Sequence, residues 1–266
     1  MGPARAPRHN GYMHLPLTDD AIARLEQSTR DAVAPPAHDD TLDGWLLSFD
    51  TSTIGRAKSA APLRHHSLQA AALTDICARY AQRGLKPVFR LADVPGLAHV
   101  QEELRRLGFA PTQPTLVQVA PTAALTALGD PAAATWSRTP TAQWAAVYTA
   151  PGFDPVDGHH RVQALSRGQH GVYATVVQHG QHLCAGTAVY SQGWASLHGL
   201  RTVMRTRGQG LARQLMACLA QEALQRGLTE TFLQVEAENS AALALYQRAG
   251  FVTAWRYHYW REFCVP

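Results

Sequence analysis

The sequence predicts an α+β fold, a mixed and mostly antiparallel sheet flanked by helices, laid out as two tandem units along 266 residues. Three observations predict it. The segments "GVYATVVQ" (171–178), "LCAGTAVYS" (183–191) and "WASLHGLRTV" (194–203) are rich in β-branched and aromatic residues and read as hairpin-joined strands, with His179-Gly180-Gln181 as a turn. From Leu211 the apolar period becomes helical: Leu211, Ala212, Leu215, Met216, Leu219, Ala220, Ala223 and Leu224 share one face. Finally, "QRGL" at 82–85 returns 143 residues later at 225–228. Phe89 falls on Phe232 and Arg64 on Arg207 at the same offset, and with a one-residue gap Arg106-Leu107-Gly108-Phe109 falls on Arg248-Ala249-Gly250-Phe251.

Taken in order, Gly44–Asp50 reads as a strand, Ser67–Gln82 as a helix, Lys86–Ala92 as a strand and Ala98–Leu107 as a helix. "PTAALTALGDPAAA" (Pro121–Ala134) has the composition of a linker, which gives units at 1–122 and 135–266 joined by 123–134. In the second unit Gly227 is placed to stop the long helix in a left-handed cap. Thr229–Ala237 reads as a buried strand, and Asn239-Ser240 caps a short helix that ends at Gly250. "WRYHYW" (255–260) reads as a strand with one face packed, whose other face is able to line a pocket.

Composition narrows the function. With 46% hydrophobic and 17% charged residues the chain has the makings of a globular core rather than a disordered segment. Its formal charge of +4 favours an anionic small molecule, while the absence of basic runs interleaved with aromatics excludes a nucleic-acid arm. Cys77, Cys184, Cys218 and Cys264 are scattered, with no CxxC pair and no metal spacing, as expected of thiols in a reducing cytoplasm. No apolar stretch follows the basic N-terminal residues and none is long enough to span a bilayer, so neither secretion nor a membrane is expected. The pairs His65-His66 and His159-His160 lack metal spacings and are expected as solvated loop residues, with no metal.

The segment "RTRGQGLARQL" (205–215) carries the chemistry. A glycine-rich turn feeding a helix leaves the first helical N–H groups unpaired at the positive end of the dipole, where an anion is stabilised. Gly208 and Gly210 have no Cβ to hold a phosphate away, and Arg205, Arg207 and Arg213 add charge. No Lys-Ser/Thr follows the glycines, which excludes a P-loop, and Arg213 stands where a dinucleotide fingerprint needs its third glycine.

Arg207-Gly208-Gln209-Gly210-Leu211-Ala212 resembles the pyrophosphate-binding signature of the GCN5-related N-acetyltransferases, Q/R-x-x-G-x-G/A. "FLQVEAENSAALALYQRAGF" (232–251) is similar to that family's second signature. The resemblance covers about 135–261 and implies acetyl-CoA as acyl donor, held by Thr202 and Val203 of the preceding strand, by residues 207–212, and by Asn239 and Tyr246. The family commonly has a proline just after that strand, where this chain has Met204, so a local change of path is expected there. In the first unit the cradle falls on Arg64-His65-His66-Ser67-Leu68-Gln69, without glycines, and Tyr246 falls on Leu104. That unit is expected to complete the core and wall the substrate site without binding acetyl-CoA.

The resemblance implies an N-acetyltransferase acting on a primary amine of a small molecule, peptide or protein. A non-catalytic acyl-CoA sensor is the alternative. Tyr246 is the candidate acid beside the sulfur, against the reading of a core tyrosine on the apolar face of Ala242, Leu245 and Ala249. Asn239 serves as cofactor contact, helix cap or both. Glu236 and His198 are both chemically competent as general base, and each also fits an ordinary polar position or a water chain.

Overall fold

The computed structural model describes residues 17–34 and 40–263. Cys264 and the basic N-terminal residues lie outside them. Among the described residues the elements are α1 (Asp19–Val33), β1 (Thr41–Leu42), β2 (Trp45–Leu46), β3 (Ala61–Pro62), α2 (Ala72–Ala81), β4 (Phe89–Ala92), α3 (Ala98–Arg106), β5 (Phe109–Pro121) and α4 (Thr122–Thr126). There follow β6 (Ala134–Ser137), α5 (Ala142–Tyr148), α6 (Pro155–Ser166), β7 (Gly171–Gln178), β8 (Gln181–Ser191), β9 (Trp194–Thr202), α7 (Leu211–Gln225), β10 (Glu230–Glu236), α8 (Ser240–Arg248) and β11 (Val252–Glu262).

One eight-stranded sheet organises the chain, in the order β4-β11-β5-β10-β9-β8-β7-β6, and β1-β2-β3 form a small separate sheet. Every pairing in the large sheet is antiparallel except β9 with β10. The β6–β9 hairpins follow from the sequence: His179-Gly180 supplies the two positive-φ residues of a tight turn, so the strands join in register at Gln178 and Gln181. Strands from both sides of residue 122 interleave. β11 lies between β4 and β5, and β5 lies between β11 and β10.

Several boundaries differ from the sequence reading. Gly44–Asp50 yields only the two residues of β2, and the helix expected from Ser67 begins at Ala72, with Leu68 buried ahead of it. Residues 123–134 carry α4 and a short 3-10 turn, with Leu125 buried against the α7 side of the sheet. Helices α1, α5 and α6 were not legible in the periodicity. His159 and His160 lie on α6 and not in a loop, although His159 is exposed, and His65 lies in a loop but packs edge-on against Trp255 at 4.9 Å and is half-buried.

The sheet separates two apolar layers. Leu211, Leu215, Met216 and Leu219 of α7 pack with Leu197, Leu233 and Val235 on one face. Ile22 and Leu25 of α1 share a cluster with Trp194, Phe232 and Tyr257 on the other. Alternation along β10 therefore aims Phe232, Gln234 and Glu236 toward the α1 side and Leu233 and Val235 toward α7.

Candidate functional site

β9 and β10 pair only at Ala195–Thr231, Ser196–Phe232 and Leu197–Leu233, and then part. The cause is local. The β8–β9 register slips between Ala185 and Thr187, where Gly186 faces the extra residue of Gly199-Leu200, and such a bulge bends its strand. β10 stays straight because its other edge remains paired to β5 as far as Glu236–Thr115. The resulting wedge opens into a cavity of about 940 Å³ that runs from the turn before α7 to the face under α1.

At one end of the wedge stands the glycine turn. Gly208 (φ +79°) and Gly210 (φ +81°) both adopt the left-handed region, and Gly210 is the N-cap of α7. None of the described residues accepts a hydrogen bond from the backbone N–H groups of residues 208–212; the first amide to fold back is Arg213, onto the Gly210 carbonyl at 3.0 Å. Burial of Leu211 and Leu215 anchors this helix end, and a Cβ on Gly208 would meet nothing within 4 Å. The cradle is open and faces the cavity. Met204 sits in a 3-10 turn between β9 and the cradle.

Of the residues singled out from the sequence, Thr202, Arg207, Gly208, Gly210, Leu211 and Ala212 line the cavity. Asn239, Tyr246, Glu236 and His198 do as well. Val203 and Gln209 do not: Val203 is buried, with its amide on the Leu183 carbonyl at 2.9 Å, and Gln209 is exposed. Arg205 is held away from the cradle by Gln181 Oε1 at 2.6 Å, whereas Arg213 keeps its place on the cavity wall.

Tyr246 is only 8% exposed and packs on Phe251 at 5.7 Å, yet it borders the cavity and no described residue bonds its hydroxyl. Burial pushes its pKa up to about 12. Asn239 caps α8, its side-chain oxygen accepting from the Ala242 amide at 3.2 Å. His198 stands where the strands part, fully buried against Phe232, and no described residue hydrogen-bonds its Nε2. Burial, reinforced by the Arg56 charge, drives its pKa well below 6.5 and keeps the ring neutral. Glu236 is exposed and held from across the sheet: Arg261 donates to Gln113 Oε1 at 3.0 Å, and Gln113 Nε2 donates to Glu236 Oε1 at 2.8 Å.

Sequence reasoning missed the far wall. Arg56 and Gln113, from the first unit, line the cavity with Gln234, Tyr257 and Tyr259. The Tyr257 hydroxyl donates to Gln234 Oε1 at 2.9 Å, and Gln234 Nε2 donates to Thr29 Oγ1 of α1 at 2.9 Å. The two tyrosines were legible in the alternation of "WRYHYW"; Arg56 lies in a 3-10 turn, where no periodicity marks it. Opposite, Asp157 of α6 holds Arg161 at 2.7 Å and Arg201 at 3.1 Å, and the Arg201 guanidinium lies 4.5 Å over the Phe153 ring. The described residues contain no group of three or more His, Cys, Asp or Glu able to hold a metal, and none of their helices is long and apolar enough to cross a membrane.

Known proteins share these features. A 55-residue segment is 42% identical to N-alpha-acetyltransferase MAK3 of Arabidopsis thaliana, covering 20% of this chain and 29% of that protein. A 74-residue segment is 34% identical to the uncharacterized N-acetyltransferase YobR of Bacillus subtilis (strain 168), covering 28% and 30%. The chain thus spans under a third of the length of these curated relatives. A solved GCN5-related N-acetyltransferase from Kribbella flavida shares the fold with a TM-score of 0.65 at 17% identity, over 91% of this chain and 95% of that one. Residues 20–260 match the family described as "Probable histone acetyltransferase Rv0428c C-terminal". That match runs from α1 into β11, and the chain belongs to this family of GCN5-related acetyltransferases.

Proposed function

We propose that the protein is an acetyl-CoA-dependent N-acetyltransferase that transfers the acetyl group directly to a primary amine. The observation that carries the reading is the wedge between β9 and β10, ending in five consecutive amides with no protein partner. An open, positively polarised helix start flanked by Arg207 and Arg213 fits a pyrophosphate, and the free strand edge beyond Leu197 fits an amide-bearing arm. Acetyl-CoA would supply the activated thioester.

The chain's own groups then have distinct roles. An ammonium group must lose a proton before its nitrogen can attack, and Glu236 is the exposed carboxylate at the cavity for that task. With a pKa of about 12, the Tyr246 hydroxyl is a weaker acid than an ordinary thiol at about 8.5, so it stabilises the departing sulfur by donating a hydrogen bond. The proton that balances the thiolate comes from the amine nitrogen. His198, sealed and neutral, shapes the acceptor side.

The same reading takes the chain as two acetyltransferase-like units, 1–122 and 135–266, that exchange their last strands. Its support is the strand order β4-β11-β5-β10, in which Phe89 begins β4 and Phe232 sits within β10, while Phe109 opens β5 and Phe251 immediately precedes β11. In the first unit, His65 fills the position of the cradle and a Cβ on Gly96 would strike its carbonyl oxygen at 2.3 Å. Only the second unit is then open to the donor. The test is calorimetric acetyl-CoA binding together with thiol release over a panel of amines. Gly210→Asp should weaken binding at least tenfold; unchanged affinity in a folded variant would remove the assignment of the cradle, and binding without turnover on any amine would favour a sensor.

A further inference from the structure

The acceptor side of the cavity holds a cation, Arg56, that forms no ion pair of its own among the described residues: the Glu26 charge acts on it, but both Glu26 oxygens are bonded to Arg90. Arg56 lines the cavity beside His198, Tyr246, Tyr257 and Tyr259, on a 3-10 turn wedged against the sheet: a Cβ on Gly55 would strike the Tyr259 ring at 2.7 Å. Its backbone is therefore fixed close to the site. Its Nε is sealed from solvent without a hydrogen-bond acceptor, and no described carboxylate pairs with its guanidinium. Glu26, on which the Arg56 charge acts, has both oxygens on Arg90, and Glu236, on the same cavity, accepts at Oε1 from Gln113. Arg56 also depresses the His198 pKa after burial, which places its charge in the same enclosed space.

A partly buried guanidinium with a sealed, unpaired N–H is costly unless an anion completes it. Its planar fork matches a carboxylate in two-pronged fashion. We infer that the acceptor is an amine carrying a carboxylate, which Arg56 binds while Glu236 faces the amine. The inference rests on the acyltransferase reading and adds the substrate class to it. It opposes a lysine-rich peptide, the acceptor class suggested by the word histone in the family description, because such a peptide would bring more positive charge to Arg56, Arg161 and Arg201.

The experiment compares ω-amino carboxylates of two to six carbons with their carboxamides, and with a lysine-rich peptide, in wild type and Arg56→Gln. Expected is a preference of at least tenfold in kcat/KM for the carboxylate at the best chain length, from charge-assisted bonding. In Arg56→Gln the preference should fall to within about threefold, through a higher KM for the carboxylate, with acetyl-CoA affinity unchanged. Equal use of carboxylate and carboxamide by wild type, survival of the preference in Arg56→Gln, or a preference for the peptide overturns the inference. If no amine is turned over, the acyltransferase reading fails separately. The subsite is then decided by calorimetric binding of the same pairs, with and without coenzyme A: carboxylate selectivity lost in Arg56→Gln sustains it, and no selectivity overturns it.

Discussion

Glu26 of α1 and Arg90 of β4 meet in a two-pronged ion pair, Nη1 to Oε1 at 3.1 Å and Nη2 to Oε2 at 2.5 Å, with each side chain only 4% exposed. The Arg90 guanidinium also lies 5.2 Å over the ring of Tyr257, so the pair sits directly beneath the acceptor wall. Burial alone would lower the Arg90 pKa, but the Glu26 charge, Tyr257, Tyr259 and the hydrogen bond to Glu26 together outweigh it and raise the value. Breaking such a pair leaves one buried charge uncompensated, at a cost of about 3–5 kcal/mol. Arg90→Met should lose that much in urea unfolding. Glu26→Leu combined with Arg90→Met should recover most of it, since the apolar pair carries no orphaned charge.

A second stability prediction follows from His65, packed edge-on against Trp255. Burial lowers its pKa to about 4, with His66 adding to the effect and Asp19 opposing it. The folded value lies below the unfolded 6.5, so the contribution is intact above pH 6.5. It is lost as pH falls from 6.5 to about 4, because the unfolded chain takes up a proton that the folded chain refuses. The span corresponds to about 3 kcal/mol. His65→Gln should flatten part of the pH dependence of unfolding in that window, and His198, depressed by burial in the same sense, should account for a further part.

The second half was legible because its signals are local. Hairpin turns with residues that tolerate positive φ, a helical apolar stripe from Leu211, and glycines at 208 and 210 each act within a few residues. β5 escaped notice because its pairing depends on partners far along the chain, β10 and β11. The same holds for the cavity wall: Gln113 reaches Glu236 only because β5 enters the sheet beside β10, a contact between residues 123 positions apart. Arg56 belongs to a 3-10 turn whose placement is set by packing against Tyr259. No window of sequence contains that information.

Tyr246 yields a prediction that separates its proposed role from a packing role. The ring is buried against Phe251, and Phe in its place keeps that contact while removing the hydroxyl. Tyr246→Phe should lower kcat by about 10²-fold. Acetyl-CoA affinity and thermal midpoint should stay near wild type. Because the hydroxyl titrates only at about 12, it should contribute no alkaline fall in kcat up to pH 10. A tyrosine that served packing alone would leave kcat unchanged on conversion to Phe.

Glu236 and His198 compete for the role of base, and their surroundings separate them. The His198 Nε2 is sealed from solvent with no hydrogen-bond partner among the described residues, and its pKa is driven well below 6.5 by burial and then by Arg56. A nitrogen so enclosed is out of reach of an ammonium group, and a base must come within hydrogen-bond distance of the proton it takes. Glu236 is exposed at the cavity, and Gln113, itself held by Arg261, fixes its Oε1, while no described residue bonds its Oε2. Glu236→Gln should therefore lower kcat/KM at least tenfold with acetyl-CoA affinity unchanged. His198→Leu should keep kcat/KM within about threefold, and the apolar replacement removes a buried unpaired nitrogen, so stability should hold or rise. Steady-state kinetics on the two variants beside wild type decides the assignment: a tenfold loss in His198→Leu with none in Glu236→Gln would reverse it.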